Sequence, residues 1–128
     1  MSKELERKVA IITGGASGIG LASAKLFAAE GANVVIADLN VEEGEKLANE
    51  LGDSAVFRRT DVSNVQDVQA LIDYTLKTFG GLHIMFNNAG APSNLFASFL
   101  DDELSDFGKI ININLLAVMA GTQRAARH

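Results

Sequence analysis

Four glycines fall within the seven positions 14–20, in the stretch "TGGASGIG" that directly follows an apolar run. Glycine inside an element costs about 0.5–1 kcal/mol relative to alanine. A cluster of them against a buried strand therefore points to something that approaches the backbone more closely than a side chain allows. Strand, glycine turn and helix in succession aim backbone N–H groups at an anion. In that geometry Gly14 makes the tight turn, Gly18 lets the backbone approach a pyrophosphate, and Gly20 lets the helix pack closely on the strand. Ser17 adds a hydroxyl donor. The spacing G-x-x-x-G-x-G, with no lysine after it, is not that of a P-loop.

An acid answers the turn. The second apolar run ends in Asp38, 18 residues beyond Gly20, where a carboxylate can accept hydrogen bonds from both hydroxyls of an adenosine ribose. The bland alternative is that Asp38 only begins a turn before Asn40. A 2′-phosphate would face this carboxylate, and one like-charge contact at 4 Å costs about 4 kcal/mol at an effective dielectric of 20. Leu39 supplies no compensating cation, and the sequence cannot aim Arg58 or Arg59 at the ribose. NAD is expected rather than NADP, with Ile19 in the turn and Leu39 beside the acid among its contacts. No metal site is assigned.

These residues need rigid elements behind them. Residues 8–13, 33–38, 54–61 and 82–90 read as short, almost wholly apolar strands bounded by turn residues. Between them, Ile19, Ala22, Leu26 and Phe27 predict the inner stripe of a first helix over 18–30. Gly44, Leu47, Ala48 and Leu51 do the same for a second, and Val65, Val68, Ile72, Leu76 and Phe79 for a third. Asn40 with Glu43, and Ser63 with Gln66, read as capping boxes. Residues 91–100, with the only proline at Pro92, read as a loop. From about Asp102 onward Leu104, Phe107, Ile111, Leu115 and Val118 follow helical spacing. Strand and helix alternate four times, which implies an α/β fold: a doubly wound parallel sheet of Rossmann type, joined by right-handed crossovers.

Composition bounds the rest. The chain has 128 residues, 48% of them apolar, and a formal net charge of −5, with mean hydropathy +0.17. That suits one globular unit with a real core and argues against nucleic acid or an anionic membrane as a partner. Cysteine is absent, which excludes thiol chemistry. The N-terminus lacks a signal-peptide pattern and no stretch approaches the roughly 18 apolar residues of a membrane span, so a cytoplasmic location is expected. The last helical pattern runs to His128 without a stop signal, and four strands are half of the six-strand form. The chain is expected to be the N-terminal part of a longer protein.

With these residues in place, the sequence resembles the short-chain dehydrogenase/reductase superfamily in its classical type. The resemblance covers all 128 residues and rests on "TGGASGIG" (13–20), "AD" (37–38), "DV" (61–62), "NNAG" (87–90) and "ININLL" (111–116), in that order. It implies that Asp61 contacts the adenine amino group and the Val62 backbone the ring. It also implies that Asn88, Ala89 and Gly90 line the cofactor near its nicotinamide ribose. Asn114 lies seven residues after Phe107 and three after Ile111, so periodicity puts it on the inner apolar face, where a polar side chain needs a partner. The resemblance gives it the catalytic role of binding a water, kinking the helix and completing a proton relay; a satisfied core asparagine is the plainer reading. His83 stands where the family often has aspartate. The family's catalytic serine, tyrosine and lysine have no match here: the single tyrosine, Tyr74, precedes Lys77 by three residues rather than four, on the third helix, and is expected to serve packing.

The leading expectation is thus an NAD-dependent oxidoreductase passing a hydride between cofactor and a secondary alcohol or ketone, present as its cofactor-binding part over 1–128. A non-catalytic NAD-binding or interaction module is the alternative if the chain is complete. A methyltransferase is disfavoured by "NNAG" and by the separation of Gly14 and Gly20. The segment 115–121, apolar on every face, predicts a helix buried on both sides, and with the resemblance it points to a homodimer or homotetramer built on that helix.

Overall fold

The apolar runs form β1 (Val9–Thr13), β2 (Asn33–Asp38), β3 (Ala55–Arg59) and β4 (Ile84–Phe86). In the computed structural model, which describes residues 3–91, 100, 104 and 107–128, they make one parallel sheet in the order β3-β2-β1-β4. Ile11 lies opposite Val35 and Met85, and Ile12 opposite Ile36 and Phe86. Because side chains alternate between faces, the continuous apolar runs feed two core layers at once. Ile12, Val34, Ile36 and Ala55 pack with Ala24 and Leu47 on one side. Ile11, Val35 and Ala37 pack with Val68, Leu71 and Ile72 on the other. The fold is Rossmann-type α/β. Residues 92–99, and with them Pro92, Ser93 and Ser98, lie outside the described residues, as does Asp102.

Of the inner stripe that periodicity predicts for helix α1 (Gly18–Ala29), only Phe27 packs against the core. Ile19 and Leu26 are exposed, 73% and 60%, and Ala22 is exposed too, whereas Gly20 and Ala24 are buried. The helix is apolar nearly all round, so period alone does not choose a face; close approach to the sheet does, and it selects the small residues. Helix α2 (Val41–Leu51) follows expectation, with Gly44 and Leu47 buried and Asn40 Oδ1 accepting the Glu43 N–H at 3.2 Å. Helix α3 (Val65–Phe79) buries Val68, Leu71, Ile72 and Thr75 and is capped by Asn64, not Ser63. Asn64 Oδ1 accepts the N–H groups of Gln66 and Asp67 at 2.9 and 3.2 Å. Ser63 is engaged elsewhere.

The last helical stretch holds the larger correction. Helix α4 (Phe107–Ile111) passes through a π-helical turn (Asn112–Leu116) into α5 (Ala117–Ala125). A π turn takes an extra residue and so rotates every later side chain relative to an α-helical count. Leu115, within the turn, is exposed, and the buried residues after it are Ala117, Ala120 and Gly121; Phe107, ahead of the turn, is exposed as well. Asn114 is therefore exposed rather than on a buried apolar face. No helix among the described residues is long and apolar enough to cross a membrane.

Candidate functional site

In an open parallel sheet, the crevice outside the carboxyl ends of the strands opens where the strand order reverses. Here that point lies between β1 and β4, flanked by the turn after each. A cavity of about 360 Å³ sits over it, lined by Gly14, Ser17, Ala37, Asp38, Leu39, Thr60, Asp61, Val62, Asn88, Ala89, Gly90, Ala91 and Ile113. Nine of the twelve expected cofactor contacts are among them. Gly18, Ile19 and Gly20 stand outside the lining, in the first turn of α1. A wider depression of about 570 Å³ between α2 and β3 contains none of the expected residues.

The glycine turn is built for close approach. Gly14 and Gly18 have φ of +63° and +56°, a region that side chains disfavour. A Cβ on Gly20 would overlap the Gly14 carbonyl and the Asn88 side chain, so only glycine lets α1 start this near the strand. Gly14 N–H donates to Ala37 O at 2.8 Å, and Ala16 N–H to Asp38 Oδ2 at 3.0 Å. Ser17, the N-cap of α1, makes no side-chain capping bond, and the helix has no acid in its first turn. The first N–H groups of a helix have no partner within it. Here they stand beside a Ser17 hydroxyl that makes no capping bond, the arrangement of donors that an anion at a helix N-terminus uses.

Asp38 does more than begin a turn. Its Oδ2 holds the Ala16 N–H and its Oδ1 the Asn40 N–H, both at 3.0 Å, so the acid, the glycine turn and the start of α2 are one unit. Each oxygen keeps acceptor capacity toward the cavity. The β2–β3 register sets Arg59 opposite Asp38 at the same edge, information the sequence could not supply. Arg58 turns instead to the Tyr74 ring, its guanidinium carbon 5.1 Å from the centroid, which accounts for the half-buried Tyr74 as packing. At the end of β3, Asp61 Oδ1 accepts from Ser63 twice, from N–H at 3.0 Å and from the hydroxyl at 2.6 Å. The Ser63 hydroxyl bond holds this carboxyl below the usual aspartate range. Partial burial opposes it, and the Ser63 N–H, Arg59 and Lys109 reinforce it.

The opposite wall is fastened by a residue whose role the sequence did not reveal. Thr13, 3% exposed, accepts the N–H groups of Asn88 and Ala89 through Oγ1, each at 3.0 Å. Asn88 Nδ2 donates back to the carbonyls of Thr13 and Gly14 at 3.1 and 3.3 Å. The two glycine turns flanking the switch point are thereby tied together across 74–76 residues of sequence. Asn114 clamps the next residue: its Oδ1 accepts the Ala91 N–H and its Nδ2 donates to the Ala91 carbonyl, both at 2.8 Å. Both ends of its amide hold this backbone in place, and the amide keeps a second acceptor lone pair and a second N–H beyond these bonds. Asn87 Nδ2 donates to Thr122 Oγ1 at 3.3 Å, where Gly121 lets α5 approach. His83 lies at the other end of β4, where its Nδ1 accepts the Val9 N–H and its own N–H donates to Val9 O, both at 2.9 Å. Among the described residues no cluster of three His, Cys, Asp or Glu could hold a metal.

A family model described as short chain dehydrogenase matches residues 8–128. Among curated proteins, the chain is 44% identical over 125 residues to "(21S)-21-acetoxyl-apo-melianone synthase SDR" of Melia azedarach, covering 98% of this chain and 46% of that protein. It is 46% identical over 127 residues to "Tropinone reductase-like 1" of Erythroxylum coca, covering 98% and 47%. The chain spans about half the length of the curated relatives it matches. Among solved structures, a short chain dehydrogenase/reductase from Burkholderia phymatum in complex with NAD superposes with a TM-score of 0.91 at 35% identity, over 97% of this chain and 44% of that one.

Proposed function

The chain belongs to the short chain dehydrogenase family, and from that premise we propose that it binds NAD over the switch point, as the cofactor-binding part of an oxidoreductase of secondary alcohols and ketones. One observation carries this reading. Asp38 is hydrogen-bonded to the glycine turn at Ala16 and still borders the cavity, so a ribose acceptor and a pyrophosphate-binding helix end form one rigid unit. The free N–H groups of Gly18, Ile19 and Gly20 and the Ser17 hydroxyl would hold the pyrophosphate. Asp38 would take the ribose hydroxyls beside Leu39, and Asp61 and Val62 the adenine. Asn88, Ala89 and Gly90, held by Thr13 and followed by the Asn114 clamp, would border the nicotinamide ribose. When bound, NAD supplies the hydride acceptor and its reduced form the donor. The Burkholderia phymatum neighbour, solved with NAD, supports the choice of dinucleotide.

Titration of NADH and NADPH against the protein and its Asp38→Ala variant tests the reading. A preference for NADH that shrinks in the variant is expected; equal affinities in the parent, or an unchanged ratio in the variant, would sink it. Arg59, opposite Asp38 in the sheet, is the cation that makes the comparison with NADPH informative.

Proton transfer needs an acid/base within about 2.6–3.2 Å of the substrate oxygen. Tyr74 is stacked under Arg58 on α3, and His83 is tied to Val9 at the far edge of the sheet. We therefore propose that residues 1–128 alone carry out no hydride transfer. Turnover of secondary alcohols by the isolated chain would refute this. The exposed Leu115 and Leu116 of the π turn, with Met119 of α5, favour a homodimer or homotetramer through this last helical stretch, in a cytoplasmic enzyme of small alcohols or carbonyls. Sedimentation as a monomer at micromolar concentration would count against that assembly.

A further inference from the structure

Asp61 is held on almost every side. Its N–H donates to Asp67 Oδ2 at 3.0 Å, and its carbonyl accepts the Asn64 N–H at 3.0 Å. Its Oδ1 accepts both the N–H and the hydroxyl of Ser63, the latter at 2.6 Å. No hydrogen bond among the described residues reaches Oδ2. The residue borders the cavity with Val62 and Leu39, and Arg59 and Lys109 favour its ionised form. An ionised carboxylate accepts and never donates. A bond of 2.6 Å from a hydroxyl to a carboxylate is of the strong, charge-assisted kind, and it suppresses rotation of the carboxyl group about its own axis.

We propose that Ser63 is a positioning residue for base selection: by occupying Oδ1 of Asp61 it presents Oδ2 to the exocyclic amine of a 6-aminopurine, and so sets the cavity against 6-oxopurine dinucleotides. The proposal rests on the cofactor reading above and deepens its adenine end. An amine at the purine 6-position donates to Oδ2. A 6-oxo group presents a second acceptor to the same oxygen, and a site built around a hydrogen bond penalises the analogue that cannot make it. Without the Ser63 hydroxyl, the carboxylate is free to turn and to take water on either oxygen, and the distinction between the two bases weakens.

The test is calorimetric titration of the protein with NADH and with reduced nicotinamide hypoxanthine dinucleotide, for the parent, Ser63→Ala and Ser63→Thr. The parent should prefer NADH by about tenfold or more, the yield of one good charged hydrogen bond. Ser63→Ala should weaken NADH roughly three- to tenfold while moving the hypoxanthine analogue by less than about twofold. Ser63→Thr, which keeps the hydroxyl, should restore the parent ratio. A loss of structure alone would lower both affinities together and leave the ratio intact, and that result overturns the proposal. So does a parent that binds both dinucleotides equally well, with the cofactor reading left standing. A parent that binds neither removes the cofactor reading and this proposal with it.

Discussion

Thr13→Val replaces the buried hydroxyl that joins the two turns with a methyl group of similar size, so its cost reports the hydrogen bonds rather than a cavity. Three bonds are affected, and they are not equal. Ala89 N–H has Thr13 Oγ1 as its partner at 3.0 Å and is orphaned by the change. Asn88 N–H is shared between Thr13 Oγ1 at 3.0 Å and Phe86 O at 2.9 Å, so it keeps one acceptor. The bond from the hydroxyl to Phe86 O, at 3.4 Å, is already weak. Ala89 is half-buried at the cavity wall, so leaving its N–H unsatisfied costs about 1–2 kcal/mol, the lower part of the range for buried donors, and the weakened shared bond adds about 0.5 kcal/mol. The sum, about 1.5–2.5 kcal/mol, is a large part of the roughly 5–15 kcal/mol that keeps a domain folded. In urea unfolding with a slope of about 1–3 kcal/mol/M, the midpoint should fall by about 0.5 M or more with the slope unchanged. Thr13→Ser keeps the hydroxyl and should lose only about 0.5–1.5 kcal/mol, the value of one buried methyl. A Thr13→Val protein within about 0.5 kcal/mol of the parent, or a Thr13→Ser protein equally damaged, would refute the assignment of this stability to the hydroxyl's bonds.

Gly44→Ala should destabilise by about 1–3 kcal/mol despite the better helix propensity of alanine, because a Cβ there overlaps the Phe57 ring; thermal melting checks it, and Phe57→Leu in the same chain should recover part of the loss. Asp61, whose ordinary value is 3.8, is held lower in the folded protein. Its contribution to stability is therefore complete above that value and lost as pH falls through the lower, folded-state one. Carboxyl chemical shifts followed by NMR should show this low titration, with Ser63→Ala moving it upward; titration at or above 3.8 in the parent contradicts the geometry. His83→Ala removes the acceptor of the Val9 N–H and should cost about 1 kcal/mol. His83→Asn, which offers a carbonyl oxygen, should cost less, and equal losses in the two variants would show that the imidazole nitrogen is not what holds β4 to β1.

What the sequence by itself determined is whatever local chemistry settles. The apolar runs of β1 and β2, the glycines that punctuate them and the asparagine before α2 each carry their reason within a few residues. So the alternation of strand and helix, the glycine turn and the acid at the end of β2 were legible without coordinates. Where two neighbours offered the same local chemistry, tertiary structure chose. Ser63 and Asn64 are both competent caps, and Asn64 caps α3 because the Ser63 hydroxyl is taken by Asp61. Helix α1 is apolar nearly all round, and its fully buried positions fell to Gly20 and Ala24, Gly20 because a Cβ there would overlap the glycine turn. The π turn at Asn112–Leu116 rotated Asn114 out of the apolar stripe and onto the backbone of Ala91, 23 residues away. The bonds of Thr13 and Asn88 join segments about 75 residues apart. No local pattern encodes such partners, since a hydroxyl or an amide finds its acceptor only after the sheet order has brought the two chain ends of β1 and β4 side by side.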